Sequence, residues 1–311
     1  MTAPATTLAV HPGALGDVVF FARVLERLEG ATTLLAGDQK ARMLAGLGLV
    51  ERALGWEQLA IHRLFADPPA VDADLAEALG GHDRLISCLP ADEPHQAMRW
   101  SACCGASRSS FLPIRPPAGF DGHLVELWFD WLGLGELDAA SRGPWAVPRP
   151  WRQAARGWLD DHGLETARPL AVLHPGSGGA AKCWPIERFC ELAERLAAEA
   201  GLDVVAVLGP VELETWPADR VERLTGAVKA LWPAPSLSEL AGLTAEAALY
   251  VGNDSGPTHL AAAVGAPTVA LFAASDARHF APLGPAVRVV HADGWEGLAA
   301  ERVAAKSIAL L

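Results

Sequence analysis

Short apolar runs alternate with amphipathic stretches along most of the chain. A short continuous apolar run is typical of a strand buried on both faces, and apolar residues three or four apart are typical of a helix. In the first half, this pattern predicts strands over 8–10, 32–35 and 84–89, and helices over 18–28, 39–47, 94–104 and 123–132. Strand–helix–strand order favours parallel pairing, because parallel strands need a crossover connection. The pattern therefore predicts an α/β fold.

The second half repeats this order, and residues that start and stop helices mark its boundaries. Pro185 occupies a favoured first helical position, Gly201 a favoured stop, and Ser236 with Glu239 fits a capping box. Strands are predicted over 170–173, 203–208, 249–252 and 268–272, and helices over 153–161, after Pro185, over 236–243, over 257–264 and over 295–311.

The segment SRGPWAVPRPW at 141–151 separates the two halves. Its three prolines restrict both their own backbone and that of the preceding residues. We therefore predict a linker here, with one Rossmann-like, doubly wound domain over 1–145 and another over 146–311. In such sheets, ligands bind beyond the carboxyl ends of the strands, which predicts a cleft between two facing domains. This division allows the last helix, predicted over 295–311, to pack back on the first domain.

Composition limits the class of protein. The chain has 311 residues, 51% of them hydrophobic and 20% charged, which is enough for two packed cores. A net charge of −12 argues against general affinity for nucleic acid or anionic membranes. Five cysteines without a CxxC spacing favour reduced thiols over disulfides or a zinc site. With no signal-peptide pattern and no apolar run of membrane-span length, we expect a cytoplasmic protein.

The segment 94–120 contains no Asp or Glu but carries Arg99, Arg108 and Arg115. Two interpretations remain open: ordinary solvated arginines, or a contact surface for an anionic substrate.

The loop HPGALGD at 11–17 joins the first predicted strand to the first helix. Gly13 and Gly16 allow a tight turn and close approach of a ligand to the backbone. Asp17 lies where the helix begins. It is either an acid that satisfies free N–H groups at the helix start or a carboxylate positioned as a general base.

Two loops of the second half have the composition of phosphate-binding loops. HPGSGGAAKCWP at 174–185 combines small residues with Lys182, so backbone N–H groups and an ammonium could hold a phosphate, although the Walker spacing is absent. In GNDSGPTHLAAAVGAP at 252–267, Asp254 and Ser255 precede a helix start and His259 follows in its first turn. Instead of phosphate binding, the loop at 174–185 could be a flexible surface loop. In the loop at 252–267, Asp254 could cap the helix and His259 could be a packed surface histidine.

The three loops taken in order, GALGD, PGS...K.WP and V.DSGPTHLAAA..G.P, resemble glycosyltransferase family 9, the heptosyltransferase-like glycosyltransferases, from Leu8 to Pro282. The resemblance implies a GT-B fold, with two facing Rossmann-like domains and an interdomain cleft. It also implies transfer of heptose from ADP-heptose to a glycan or lipopolysaccharide-core acceptor, with inversion and without a required metal or other cofactor. His11 departs from the arginine that is frequent at its position in related enzymes.

By motif position, the resemblance implies that Asp17 is the catalytic base. Around the donor sugar and its phosphates, it places Gly13 and Gly16 beside the sugar and diphosphate, Ser177 and Lys182 on the diphosphate, and Asp254, Ser255 and Gly256 on the sugar and phosphates, with His259 close by. Around the nucleoside, it places Glu212 on the ribose, and Leu231 and Trp232 beside the nucleotide base. The implied acceptor-binding residues are Arg99, Arg108 and Arg115.

The implied partners are a nucleotide-sugar donor on the second domain and a glycan or lipid-linked acceptor on the first. No nucleic acid is expected, and a lipid-linked acceptor allows peripheral contact of the first domain with the inner face of the cytoplasmic membrane. Two alternatives keep the architecture: a nucleotide-sugar-binding protein without transferase activity, and a sugar-nucleotide epimerase. A dinucleotide-dependent oxidoreductase is disfavoured, because GxGxxG with a later acid does not follow the first strand.

Overall fold

The structure is a computed structural model that describes residues 5–65, 73–89, 94–164 and 168–311. The chain divides into two compact units, Met1–Leu137 and Asp138–Leu311. This division precedes the predicted boundary after residue 145. Trp145 explains the difference, because it is buried and its backbone N–H donates to Ala263 O at 2.8 Å within the second unit. The segment predicted as a linker is therefore packed against the second unit.

Within the described residues, the first unit is a parallel sheet in the order β3-β2-β1-β4-β5, flanked by helices. Its strands are β1 (Thr7–Val10), β2 (Thr32–Ala36), β3 (Arg52–Gly55), β4 (Arg84–Ser87) and β5 (Arg108–Phe111). Its helices are α1 (Leu15–Leu25), α2 (Asp38–Gly46), α3 (Ala73–Leu79), α4 (Pro94–Cys104) and α5 (Leu124–Leu132), with 3-10 turns at Trp56–Gln58 and Ile61–Phe65.

The core of this unit forms where β1, β2 and β4 bury their apolar side chains against helices. Leu8, Leu35 and Leu85 from these strands pack together with Trp100 of α4. Every residue of β1 and β2 is buried, as expected for central strands covered on both faces. The loop that follows β1 therefore begins at the end of a buried central strand.

The second unit has a parallel sheet, over the described residues, in the order β11-β10-β9-β6-β7-β8. Its strands are β6 (Leu170–His174), β7 (Asp203–Leu208), β8 (Ala230–Pro233), β9 (Leu249–Asn253), β10 (Thr268–Phe272) and β11 (Val287–His291). Its helices are α6 (Arg149–Asp161), α7 (Ile186–Ala200), α8 (Pro210–Thr215), α9 (Ala218–Ala227), α10 (Leu237–Ala245), α11 (Gly256–Ala263), α12 (Ala277–Phe280) and α13 (Ala300–Ile308), with 3-10 turns at Ala140–Arg142, Ala180–Lys182 and Trp295–Gly297.

Helix boundaries in this unit follow the local signals of the sequence. The helix α7 begins at Ile186, so Pro185 is its N-cap rather than the predicted first helical residue. Gly201 ends that helix in the left-handed conformation with φ 66°, where a glycine has no steric penalty. Ser236 and Glu239 form the predicted capping box of α10. The last helix, α13, buries Val303 in the second unit's core, where it packs against α7.

The described part of the chain contains no helix that is both long enough and apolar enough to cross a membrane.

Candidate functional site

The first loop turns from β1 into α1, and Asp17 is the third residue of that helix. One carboxylate oxygen, Oδ2, accepts a hydrogen bond from the N–H of Ala14, the N-cap, at 3.1 Å. The interpretation of Asp17 as a capping acid is therefore confirmed. The other oxygen, Oδ1, accepts no hydrogen bond from any residue that the structure describes. The half-buried carboxylate is thus held by one oxygen and keeps the other available.

Lys40, a residue that the sequence did not single out, reaches this loop from the first turn of α2. Its Nζ donates to Gly13 O at 2.6 Å. Burial lowers the pKa of the Lys40 ammonium, and the negative charges of Glu57 and Asp17 partly oppose that shift. Lys40 follows the second predicted strand as Asp17 follows the first. A search of the sequence for charged residues that closely follow a predicted strand could have identified Lys40.

His11 lies beneath the same loop and is fully buried. Its Nδ1 accepts a hydrogen bond from Gly13 N at 3.0 Å, so the ring proton lies on Nε2. Burial, with a smaller contribution from the charge of Lys40, lowers the pKa of His11 to about 3. Its ring centroid lies 5.2 Å from that of Phe21 and 6.2 Å from that of Trp128. His11 is therefore a neutral, packed support for the loop.

In the second unit, β6 and β9 are neighbours, so the loops that follow them meet at one edge of the sheet. Asn253, which the sequence left without a role, ties these loops together. Its Nδ2 donates to Pro175 O at 2.8 Å, and its Oδ1 accepts from Trp184 N at 3.0 Å. Both ends of the loop at 174–185 are thus anchored to the end of β9.

Asp254 is the centre of a polar cluster in these loops. Its Oδ2 accepts from Lys182 Nζ and from Ser275 Oγ, each at 2.6 Å, and its Oδ1 lies 3.3 Å from His259 Nε2. Burial acts to raise the pKa of the Asp254 carboxyl, but the hydrogen bonds and charges of these partners outweigh it and hold that pKa far below its usual range. Ser177 joins the cluster through Asp254 O, to which its Oγ donates at 2.7 Å.

The predicted donor residues of the second unit therefore lie together, and Ser275, which follows β10 and was not predicted, joins them. The predicted place of Gly13 and Gly16 beside the sugar and diphosphate stays a prediction. Ser255 is the N-cap of α11 and Gly256 its first residue, so the positive end of that helix begins beside Asp254. An ammonium and a helix N-terminus at one place suit a phosphate group, while a carboxylate suits sugar hydroxyls. The arrangement can hold both parts of a sugar phosphate.

Glu212 lies beside the loop that follows β6. It is buried in the first turn of α8, and its Oε2 accepts from Gly209 N at 2.9 Å. A Cβ on Gly176 would lie 2.0 Å from Glu212 Oε1, so only glycine fits at that position without displacing the carboxylate. The structure thus places Glu212 against the predicted phosphate loop, while its contact with a ribose stays a prediction.

Leu231 and Trp232 lie next to each other on β8 and therefore point to opposite faces of the sheet. Leu231 packs against the core that includes α7. The Trp232 ring stacks on Trp158 of α6, with centroids 4.3 Å apart and planes 9° apart. These two side chains do not form one shared surface, so their packing does not support the predicted role of both beside the nucleotide base. That role stays a prediction.

The three predicted acceptor arginines do not come together at one edge of the first sheet. Arg108 begins β5 and pairs in register with Arg84, which places it at the amino edge, away from the loop at 11–17. Arg115 follows β5 at the carboxyl edge and is exposed. Arg99 lies on α4 and donates to Leu64 O at 3.2 Å.

A cavity of about 220 Å³ opens at the amino edge of the second sheet, where Asp203 and Glu246 line it. Both carboxylates have cationic partners: Lys229 on Asp203 at 2.9 Å, and Arg156 on Glu246 at 2.6 Å. This cavity lies at the opposite edge from the cluster around Asp254. Within the ranges that the structure describes, no group of three His, Cys, Asp or Glu side chains is arranged to hold a metal ion.

The parallel sheets and the polar loops at their carboxyl ends define a protein with the two Rossmann-like domains of the GT-B fold. Solved structures share this fold over nearly the whole chain. A glycosyl transferase family 9 structure from Veillonella parvula DSM 2008 has a TM-score of 0.79 at 19% identity, covering 99% of this chain and 97% of that chain. The ADP-heptose lipopolysaccharide heptosyltransferase II of E. coli has a TM-score of 0.71 at 20% identity, covering 98% of each.

The chain belongs to glycosyltransferase family 9 (heptosyltransferase), whose family model matches residues 141–307. Lipopolysaccharide heptosyltransferase 3 of Escherichia coli (strain K12) is 29% identical over 195 residues, which cover 62% of this chain and 55% of that protein. Lipopolysaccharide heptosyltransferase 2 of Salmonella typhimurium is 30% identical, covering 50% of this chain and 47% of that protein. The matches thus span about half the length of these curated relatives.

Proposed function

We propose that the protein is an inverting glycosyltransferase that moves heptose from ADP-heptose to a glycan or lipopolysaccharide-core acceptor, with Asp17 as the general base. The observation that carries this proposal is the cluster in which Lys182, Ser177 and the start of α11 surround Asp254. Membership of glycosyltransferase family 9 supports it. So do solved E. coli relatives described with ADP and with ADP-2-deoxy-2-fluoro heptose.

On the donor side, the diphosphate would take Lys182 and the N-terminus of α11 as its partners. Negative charge grows on the departing ADP as the glycosidic bond breaks, and fixed positive groups stabilise that charge without further reorganisation. Asp254 would then accept hydrogen bonds from sugar hydroxyls. Because the ammonium and helix N–H groups already supply positive charge, we propose that no metal or other cofactor is required.

On the acceptor side, Asp17 would remove the proton of the attacking hydroxyl. A sugar hydroxyl is a poor nucleophile at neutral pH, so a base must accept its proton as the new bond forms. The Oδ1 atom of Asp17 is suited to this, because Oδ2 is held by Ala14 N. A single displacement opposite the leaving ADP inverts the anomeric carbon, and exclusion of water would limit hydrolysis of the donor.

The decisive variant is Asp17→Asn, which keeps the side-chain shape and can still accept a hydrogen bond from Ala14 N. We expect turnover of ADP-heptose to fall by roughly 10²- to 10⁴-fold, because the base is lost. Donor binding, measured by titration calorimetry with ADP-2-deoxy-2-fluoro heptose, should stay near the wild-type value. The matched control is Asp219→Asn, an exposed acid in the first turn of α9, which should leave both quantities unchanged. Near-normal turnover by Asp17→Asn would exclude Asp17 as the base.

Binding, turnover and product analysis together separate the alternative functions. Donor binding without transfer to any acceptor would favour a nucleotide-sugar-binding protein. Conversion of the nucleotide sugar in the absence of acceptor, seen by product analysis, would favour an epimerase. A thermal-shift panel in which UDP- or GDP-sugars stabilise the protein more than ADP-heptose does would overturn the donor assignment.

The proposal also includes a place of action. The enzyme would work in the cytoplasm, and a lipid-linked acceptor would bring it to the inner face of the cytoplasmic membrane by peripheral contact. Co-flotation with vesicles that carry the acceptor, compared with vesicles that lack it, tests this part.

A further inference from the structure

Lys40 occupies a position that is unfavourable for a lysine on local grounds. It is the third residue of α2, where the partial positive charge of the helix N-terminus disfavours a cation. It is also half-buried, which lowers the pKa of its ammonium. Its stem lies so close to Gly37 that a Cβ there would be 2.7 Å from Lys40 Cε. The charges of Glu57 and Asp17 offset part of this cost, and a hydrogen bond of the ammonium offsets more.

That hydrogen bond is made to a single peptide group in the loop before α1. The C=O of Gly13 and the N–H of Ala14 belong to the same peptide unit. Lys40 Nζ donates to its oxygen at 2.6 Å, and its N–H donates to Asp17 Oδ2 at 3.1 Å. The peptide therefore connects an ammonium to a carboxylate, with its dipole aligned between the two charges. Hydrogen bonds in such a chain polarise and strengthen one another.

The preceding peptide, between Pro12 and Gly13, is held by His11. Gly13 N donates to His11 Nδ1 at 3.0 Å, and that ring is buried and neutral. A Cβ on Gly13 would lie 2.6 Å from His11 Cε1 and 2.8 Å from Asp17 Oδ2, so a glycine is needed for these groups to meet. Rotation of the Gly13–Ala14 peptide would break the contacts with Lys40 and Asp17 together.

We propose that Lys40 is a positioning residue for Asp17: through the Gly13–Ala14 peptide it fixes which carboxylate oxygen is held and which faces the acceptor hydroxyl. This inference rests on the proposed function, in which Asp17 is the base. Without the ammonium, the peptide can rotate, and Asp17 loses the hydrogen bond that orients it. A misplaced catalytic group lowers the rate of the chemical step more than it weakens substrate binding.

The test compares Lys40→Met with Lys40→Arg and with Arg42→Met. Methionine keeps an unbranched stem without charge, arginine keeps a cationic donor, and Arg42 is an exposed cation on the same helix. We expect Lys40→Met to lower kcat by roughly 10- to 100-fold with little change in the KM for the donor. Lys40→Arg should retain most of the turnover, and Arg42→Met should match the wild type.

A second measurement does not depend on catalysis. Hydrogen exchange of the Ala14 amide should be faster in Lys40→Met than in the wild type and unchanged in Arg42→Met. Wild-type turnover by Lys40→Met, equal losses in Lys40→Met and Lys40→Arg, a rise in donor KM as large as the fall in kcat, or unchanged exchange at Ala14 would each overturn the inference. If the wild type transfers no sugar, the proposed function fails, and exchange at Ala14 still decides whether Lys40 holds the peptide.

Discussion

Asp17 caps its helix with one oxygen, and the other accepts no hydrogen bond from the described residues, so capping is compatible with the proposed role as a base. The sequence could place an acid at this helix start, because a strand, two glycines and a helix mark the position. It could not pair Asp17 with Lys40, because a neighbouring strand and helix bring that lysine to the loop. The same holds for Lys182 and Asp254, whose contact joins positions 72 residues apart in the chain.

His11 carries a prediction about pH. Its pKa is lowered from 6.5 to about 3 in the folded protein, so below pH 6.5 the unfolded chain binds a proton that the folded protein does not. Stability therefore falls as the pH falls from 6.5 toward 3, with a contribution from His11 of about 1 kcal/mol of unfolding free energy per pH unit. His11→Asn keeps an acceptor for Gly13 N but does not titrate, so its slope should be shallower.

Urea unfolding at a series of pH values in this window measures both slopes. His291→Asn, at an exposed position, is the control and should keep the wild-type slope. Identical slopes for the wild type and His11→Asn would show that His11 is not held neutral by the fold.

At the scale of elements, the strands that the sequence failed to predict are the ones at the edges of the two sheets: β3, β5, β8 and β11. An edge strand is covered on fewer sides, so it needs no continuous apolar run. β5, for example, reads RSSF and is exposed at its start. The central strands are buried throughout, except for the partly exposed Arg84 at the start of β4, and were predicted to within one or two residues. Apolar patterning therefore reports burial, and it identifies a strand only where the strand is buried.

The start of α10 gives a prediction at this scale. The Ser236 side chain accepts from Glu239 N, and that bond satisfies an N–H group that has no partner inside the helix. Ser236→Ala should lower the free energy of unfolding by about 1 kcal/mol. Thr225→Ala, at an exposed position inside α9, should be neutral or slightly stabilising, because alanine favours helices. Urea denaturation of both variants and the wild type measures these changes. If Ser236→Ala were as stable as the wild type, the cap would contribute nothing to stability.

At the scale of the molecule, the hydrogen bonds that join Ser177, Lys182, His259 and Ser275 to Asp254 lie within Asp138–Leu311, and that unit has its own core. We expect a fragment of these residues to fold cooperatively and to bind ADP with an affinity close to that of the whole chain, without transferring sugar. Circular dichroism and titration calorimetry on the fragment test this. A folded fragment that does not bind ADP would show that the first unit completes the nucleotide site.

The ion pair of Lys182 with Asp254 has a consequence for how the proposed donor loops would bind an anion. Because the two charges already neutralise one another, a phosphate does not meet a free cation; it must replace a carboxylate as the counter-ion of Lys182. That replacement leaves the buried carboxylate short of one hydrogen-bond donor, a loss that a ligand without hydroxyl groups cannot make good. Sulfate, which carries no O–H group at neutral pH and so offers no donor to Asp254, would therefore be a poor competitor at these proposed donor loops, and a phosphate joined to a sugar a good one.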